Sequence, residues 1–95
     1  MYILTQDELM IVPFGEANTI ALEEEKAFDY DKMKYSDSET RFYLYLYYDD
    51  PDEARKLLGT YRTKERGVFA ISEIFYAIEN RWNAVEIPAD RDNET

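Results

Sequence analysis

The chain contains neither cysteine nor histidine. Without thiols there is no disulfide framework and no thiolate nucleophile. Without imidazole the ordinary nucleophile–base pairs are missing, and so is every zinc site built on His or Cys. Glycine is scarce: Gly15, Gly59 and Gly67 stand alone, so no glycine-rich phosphate cradle can form. The serines, Ser36, Ser38 and Ser72, are not in a nucleophile-elbow context. No apolar run approaches the ~20 residues of a membrane-spanning helix. The segment Met1–Val12 carries acids where a signal peptide would be basic. These absences predict a cytoplasmic protein with no catalytic centre, no cofactor and no metal.

What is abundant is acid and tyrosine. Twenty-one acids face 11 basic residues in 95, a formal net charge of −10. Residues 1–40 hold ten acids against three lysines, so the excess lies in the N-terminal part. Such a charge repels a nucleic-acid backbone or an anionic membrane and attracts a basic protein surface. It also serves plain solubility. Nine tyrosines supply most of the 16% aromatic content, and tyrosine suits strands and half-wet surfaces.

The two runs Tyr2-Ile3-Leu4-Thr5 and Leu9-Met10-Ile11-Val12 flank a polar break, predicting a hairpin turned near Asp7. Pro13 should end its strand or sit on an edge. After a turn over 14–18, Thr19–Leu22 reads as a third strand. Residues 23–39 are the least legible, and loop plus a short strand is the expectation there. Arg41–Tyr48 is the clearest strand, with Phe42, Leu44, Leu46 and Tyr48 on one face and Tyr43, Tyr45 and Tyr47 on the other. Asp49–Glu53 is a turn, and Ala54–Tyr61 returns as a strand. Thr63 can cap a helix starting at Lys64. Its stripe would be Val68, Ile71, Ile74, Phe75, Ile78 and Trp82, with Ile74 and Ile78 buried at its centre. The helix should stop between Asn80 and Asn83, where Asn can take a left-handed cap. Ala84–Ile87 is a last short strand before Pro88. The expected division is one domain over 1–88 and a charged, frayed tail over 89–95.

The one catalytic class the composition leaves is carboxylate acid–base chemistry, as in glycoside hydrolysis. Among 21 acids some pair always lies close, so this signal has no specificity. The run Asp49-Asp50-Pro51-Asp52-Glu53 lacks the alternation and glycine of a calcium loop and reads as a solvated turn. The tyrosine row has two readings. It fills a second layer or a small barrel, or it stays partly exposed as a contact platform. Trp82 is likewise a helix-end core residue or an interface anchor.

The opening Tyr2-Ile3-Leu4-Thr5-Gln6-Asp7 resembles the start of a group of small bacteriophage- and prophage-encoded proteins of Gram-positive bacteria. So does Leu58-Gly59-Thr60-Tyr61-Arg62-Thr63-Lys64-Glu65-Arg66, followed by an apolar helix and the closing Glu86-Ile87-Pro88. The match covers the two ends of the chain and little of the middle. The group usually carries alanine at the position of Gly67, and the tyrosine-rich strand is unusual for it. The resemblance implies a phage or prophage accessory protein in a bacterial host cell, with no catalytic residues to carry over.

The expected fold is α+β: a curved, mostly antiparallel sheet of five to six strands with one C-terminal helix packed on it, similar to small pleckstrin-homology-like or barrel-like folds. The expected function is non-catalytic binding of a basic protein partner, as an inhibitor or an acidic nucleic-acid mimic. Tyr43, Tyr45 and Tyr47 are the candidate contacts, with Glu23, Glu24, Glu25, Asp49, Asp50 and Asp52. The alternative is a structural or assembly component acting as a homodimer or larger homo-oligomer.

Overall fold

A computed structural model describes residues 1–90, with the backbone alone at 37 and 38. Six strands and one helix follow the order β1 (Tyr2–Leu4), β2 (Ile11–Pro13), β3 (Thr19–Asp29), β4 (Lys34–Tyr47), β5 (Lys56–Tyr61), α1 (Lys64–Glu79) and β6 (Ala84–Glu86). The fold is α+β. The strands form two three-stranded sheets, β2-β1-β6 and β3-β4-β5, in place of the single curved sheet expected from the sequence. Two features separate them. Pro13 ends β2 at an edge, where its missing amide costs no ladder bond. And β6, arriving from the helix, pairs parallel with β1 instead of joining the longer sheet.

Gln6 joins the sheets. Its amide donates to the Leu58 carbonyl at 2.8 Å. Its carboxamide accepts from the Thr60 amide at 2.9 Å and donates to the carbonyls of Thr60 and Pro88 at 3.1 and 3.2 Å. One side chain thus acts as a short extra strand along β5. Gly59 makes the approach feasible, because a Cβ there would lie 3.1 Å from Ile87 and 3.3 Å from Gln6.

The core collects Ile3, Val12, Leu44, Leu46, Leu58, Tyr61, Ile74, Val85 and Ile87, with Ala70 and Ala77 from the helix. Thr63 caps α1 as expected, its hydroxyl accepting from the Arg66 amide. The buried face of α1 is narrow: three small residues, Gly67, Ala70 and Ala77, with one large one, Ile74. A Cβ on Gly67 would meet the Leu22 side chain at 2.6 Å, so the helix backbone there rests directly on a leucine of the longer sheet. This corrects the expected stripe. Ile74 is 3% exposed, but Ile78 is 44% exposed, and Val68, Phe75 and Trp82 are exposed too. Small side chains let the helix settle on its Gly–Ala face, rotating the large ones outward.

The helix ends in a left-handed residue, but it is Arg81, at φ 56°, while Asn80 stays near φ −91°. The Arg81 amide donates to the Ile78 carbonyl and the Trp82 amide to the Ala77 carbonyl, the paired bonds of a Schellman motif. Trp82 folds back edge-on to Tyr76. Asp90, in the expected tail, accepts from Arg66 at 3.0 Å and from the Arg62 amide at 3.2 Å. Residues 91–95 of that expectation lie outside the described residues.

The illegible stretch is a long hairpin arm, not a loop with a short strand. β3 and β4 pair from Thr19↔Tyr47 out to Asp29↔Lys34. Asp29 turns the tip, its carboxylate accepting the amides of Asp31 and Lys32. Met33 takes φ 53° to close it. Lys26 faces Thr40 and Phe28 faces Tyr35, so Ala27 alone opposes residues 36–39 in a large bulge. Phe28, Tyr30 and Tyr35 cluster edge-on near the tip.

Candidate interaction surface

The two-residue period of β4 divides its side chains between the faces of the longer sheet. Leu44 and Leu46 are fully buried under the helix and the smaller sheet. Tyr43, Tyr45 and Tyr47 lie half-buried on the outer face. Their rings form a ladder with centroids 6.2 Å apart at each step, close to the spacing of alternate residues on a strand.

Polar neighbours hold the ladder. The Tyr45 hydroxyl donates to Glu25 at 3.3 Å, and the Tyr47 hydroxyl donates to Glu23. Arg55 lies across the row: its guanidinium sits 3.9 Å from the Tyr45 ring centroid and donates to Glu23 at 3.2 Å and to the Tyr47 oxygen at 3.1 Å. Stacking a guanidinium on a phenol ring while bonding a carboxylate orders all four groups. Partial burial, with Glu25 next in weight, raises the Tyr43 and Tyr45 phenols above their usual range. Both therefore remain neutral hydrogen-bond donors at physiological pH.

Of the residues singled out from sequence, Tyr43, Tyr45, Tyr47, Glu23 and Glu25 come together on this face. Glu24 does not: strand alternation sends it to the opposite face, where it is exposed. Asp49, Asp50 and Asp52 are exposed in the β4–β5 turn, where the Asp50 carboxylate accepts the Asp52 amide. Among the described residues no three carboxylates converge on a point that could hold a metal ion. No helix there is long and apolar enough to cross a membrane.

Two surface features were missed. Arg55 sits outside any strand, and nothing in its spacing marks it as the clamp of the tyrosine row. The other is the outer face of the smaller sheet, where Tyr2, Leu4, Ile11 and Ala84 line an open hollow of about 410 Å³. A second hollow, about 490 Å³, runs between Met1, Phe14, Ile78 and Trp82. The signal was present: Tyr2-Ile3-Leu4 is apolar at three successive positions, so both faces of that strand must be apolar. Compared with protein-family models, with curated proteins and with solved structures, the chain matches none.

Proposed function

We propose that this chain is a non-catalytic binding protein whose contact surface is the tyrosine ladder of the β3-β4-β5 sheet, and that its partner is a protein with a basic surface. The observation that carries this reading is the row of three half-exposed tyrosines, Tyr45 and Tyr47 held by Glu23, Glu25 and Arg55 and Tyr43 stacked on Tyr45. Fixed aromatic rings bury area on binding at little entropic cost. The net charge of −10 speeds encounter with a basic surface. Resemblance of the chain's two ends to phage- and prophage-encoded proteins supports an accessory role in a bacterial cytoplasm. The nucleic-acid-mimic version draws less support. A mimic needs free carboxylates in a row, whereas Glu23 is neutralised by Arg55 and Glu24 lies on the other face.

The test is capture from a host lysate on immobilised protein, comparing wild type with Tyr47→Ala at low and high salt. Loss of the captured protein in the variant and at high salt is expected, with the variant still folded and its stability lowered by no more than about 1 kcal/mol. Capture that ignores both would overturn the reading. A second reading, self-association, is favoured by the apolar hollow at Tyr2, Leu4, Ile11 and Ala84. It predicts a concentration-dependent mass in sedimentation equilibrium that Ile11→Lys abolishes.

A further inference from the structure

The longer sheet has two edges, and they are treated differently. On β5 the outward backbone groups are already occupied. Leu58 and Thr60 bond to Gln6, and the Arg62 amide donates to Asp90. On β3, 11 residues long, no hydrogen bond among the described residues reaches the outward edge. An open edge of that length is a template for another strand. Thr19–Asp29 carries four acids, Glu23, Glu24, Glu25 and Asp29, against one lysine, Lys26. A second copy paired antiparallel about Glu24 would set Glu23 against Glu25 and Glu24 against itself, and like charges directly opposite destabilise a sheet. In that register the edge repels a second copy, and its excess of acid favours a strand bearing the opposite charge.

The outer face displays the side-chain contact such a strand would make. Arg55 stacks on Tyr45 and bonds Glu23 from one side of the ladder. On the other side Glu25, among the described residues, bonds a tyrosine hydroxyl and no cation, and Arg41, opposite it in register, turns to Glu39 instead. Glu25 and the Tyr43 ring thus offer an incoming arginine the same carboxylate-and-ring pair. We propose that the β3 edge binds an extended, arginine- or lysine-bearing segment of the partner as a fourth strand, main chain to main chain, with a basic side chain over Glu25 and the Tyr43 ring. This rests on the reading of the chain as a binder of a basic protein and specifies how it would bind.

The experiment uses the whole protein, ¹⁵N-labelled, and an end-blocked decapeptide of alternating arginine and threonine. Amide exchange should slow along β3 and stay unchanged along β5. The same peptide N-methylated at every residue keeps its charge but loses all its backbone donors, so its affinity should fall about tenfold or more. Glu25→Gln, which removes the charge but keeps an acceptor for the Tyr45 hydroxyl, should weaken the unmethylated peptide severalfold. Equal affinity for both peptides, or shifts confined to the β2-β1-β6 face, would overturn strand addition while leaving a basic partner in place. No binding of either peptide would overturn both.

Discussion

The two faces of β4 come from one run of residues and do opposite things. Its inward side chains are aliphatic and excluded from water, and they hold the helix and both sheets together. Its outward side chains are tyrosines, half-wet, and tied by hydroxyl, carboxylate and guanidinium contacts instead of by packing. The helix repeats the division. Gly67, Ala70, Ile74 and Ala77 face inward, while Val68, Phe75, Tyr76 and Ile78 face out. Hydrophobicity therefore does not separate inside from outside in this molecule; side-chain size on the helix and side-chain polarity on β4 do.

The largest expected effect tests that division on the helix. Ile74→Ala should cost about 2–5 kcal/mol, because it leaves a cavity in the core. Ile78→Ala, on the outward face, should cost under about 1 kcal/mol. Urea denaturation of the two variants compares them, and equal losses would break the contrast. Next comes Gly67→Ala. Alanine gains about 1 kcal/mol of helix propensity, but its methyl would sit 2.6 Å from Leu22, and overpacking costs about 1–3 kcal/mol. A net loss is expected. Adding Leu22→Ala should cost less in the Gly67→Ala background than in the wild type, a coupling that a double-mutant cycle reads directly.

Tyr61 sharpens the comparison among tyrosines. Unlike the ladder, it is buried on the inner face and donates to the Pro88 carbonyl at 2.6 Å. Burial, then Asp90, pushes its phenol up to about 12. The folded state thus holds this proton more tightly than the unfolded chain. The contribution is complete below the unfolded value of about 10 and is lost as pH rises toward 12. Alkaline denaturation should weaken the wild type more steeply than Tyr61→Phe over that window; parallel curves would contradict it. The smallest effect is a gain: Arg81→Gly should stabilise by about 0.5–1 kcal/mol, since glycine takes the left-handed cap without strain. Thermal melting reads it, and a loss would mean that the Arg81 side chain matters more than its backbone.

Elements with strict local signals were legible from sequence. The alternation of Phe42–Tyr48 gave the faces of β4, Thr63 marked the helix start, and Pro13 marked an edge. The arm over 23–39 was not, because a bulge of four residues against one breaks the two-residue period, and Asp29 and Ser36 make their turns inside it. The facing of the helix was legible at Ile74 and Ile71 but not at Val68, Phe75, Ile78 and Trp82, for a different reason. Its stripe was read from the large apolar residues, whereas close approach to Leu22 selects the small ones. On the candidate surface, the tyrosines and two glutamates could be grouped by alternation. Arg55 could not, since it reaches them from a turn.

The central claim is that the tyrosine row is a held-open surface and not core. Neighbouring residues on β4 allow a direct test with one replacement, threonine, which preserves strand propensity. Equilibrium urea unfolding of Tyr45→Thr and Leu46→Thr should give losses of about 1 kcal/mol for the first, a ring contact and one hydrogen bond. It should give at least about 3 kcal/mol for the second, a buried cavity with an unsatisfied hydroxyl. A Tyr45→Thr loss as large as that of Leu46→Thr would make the ladder part of the core and contradict the claim.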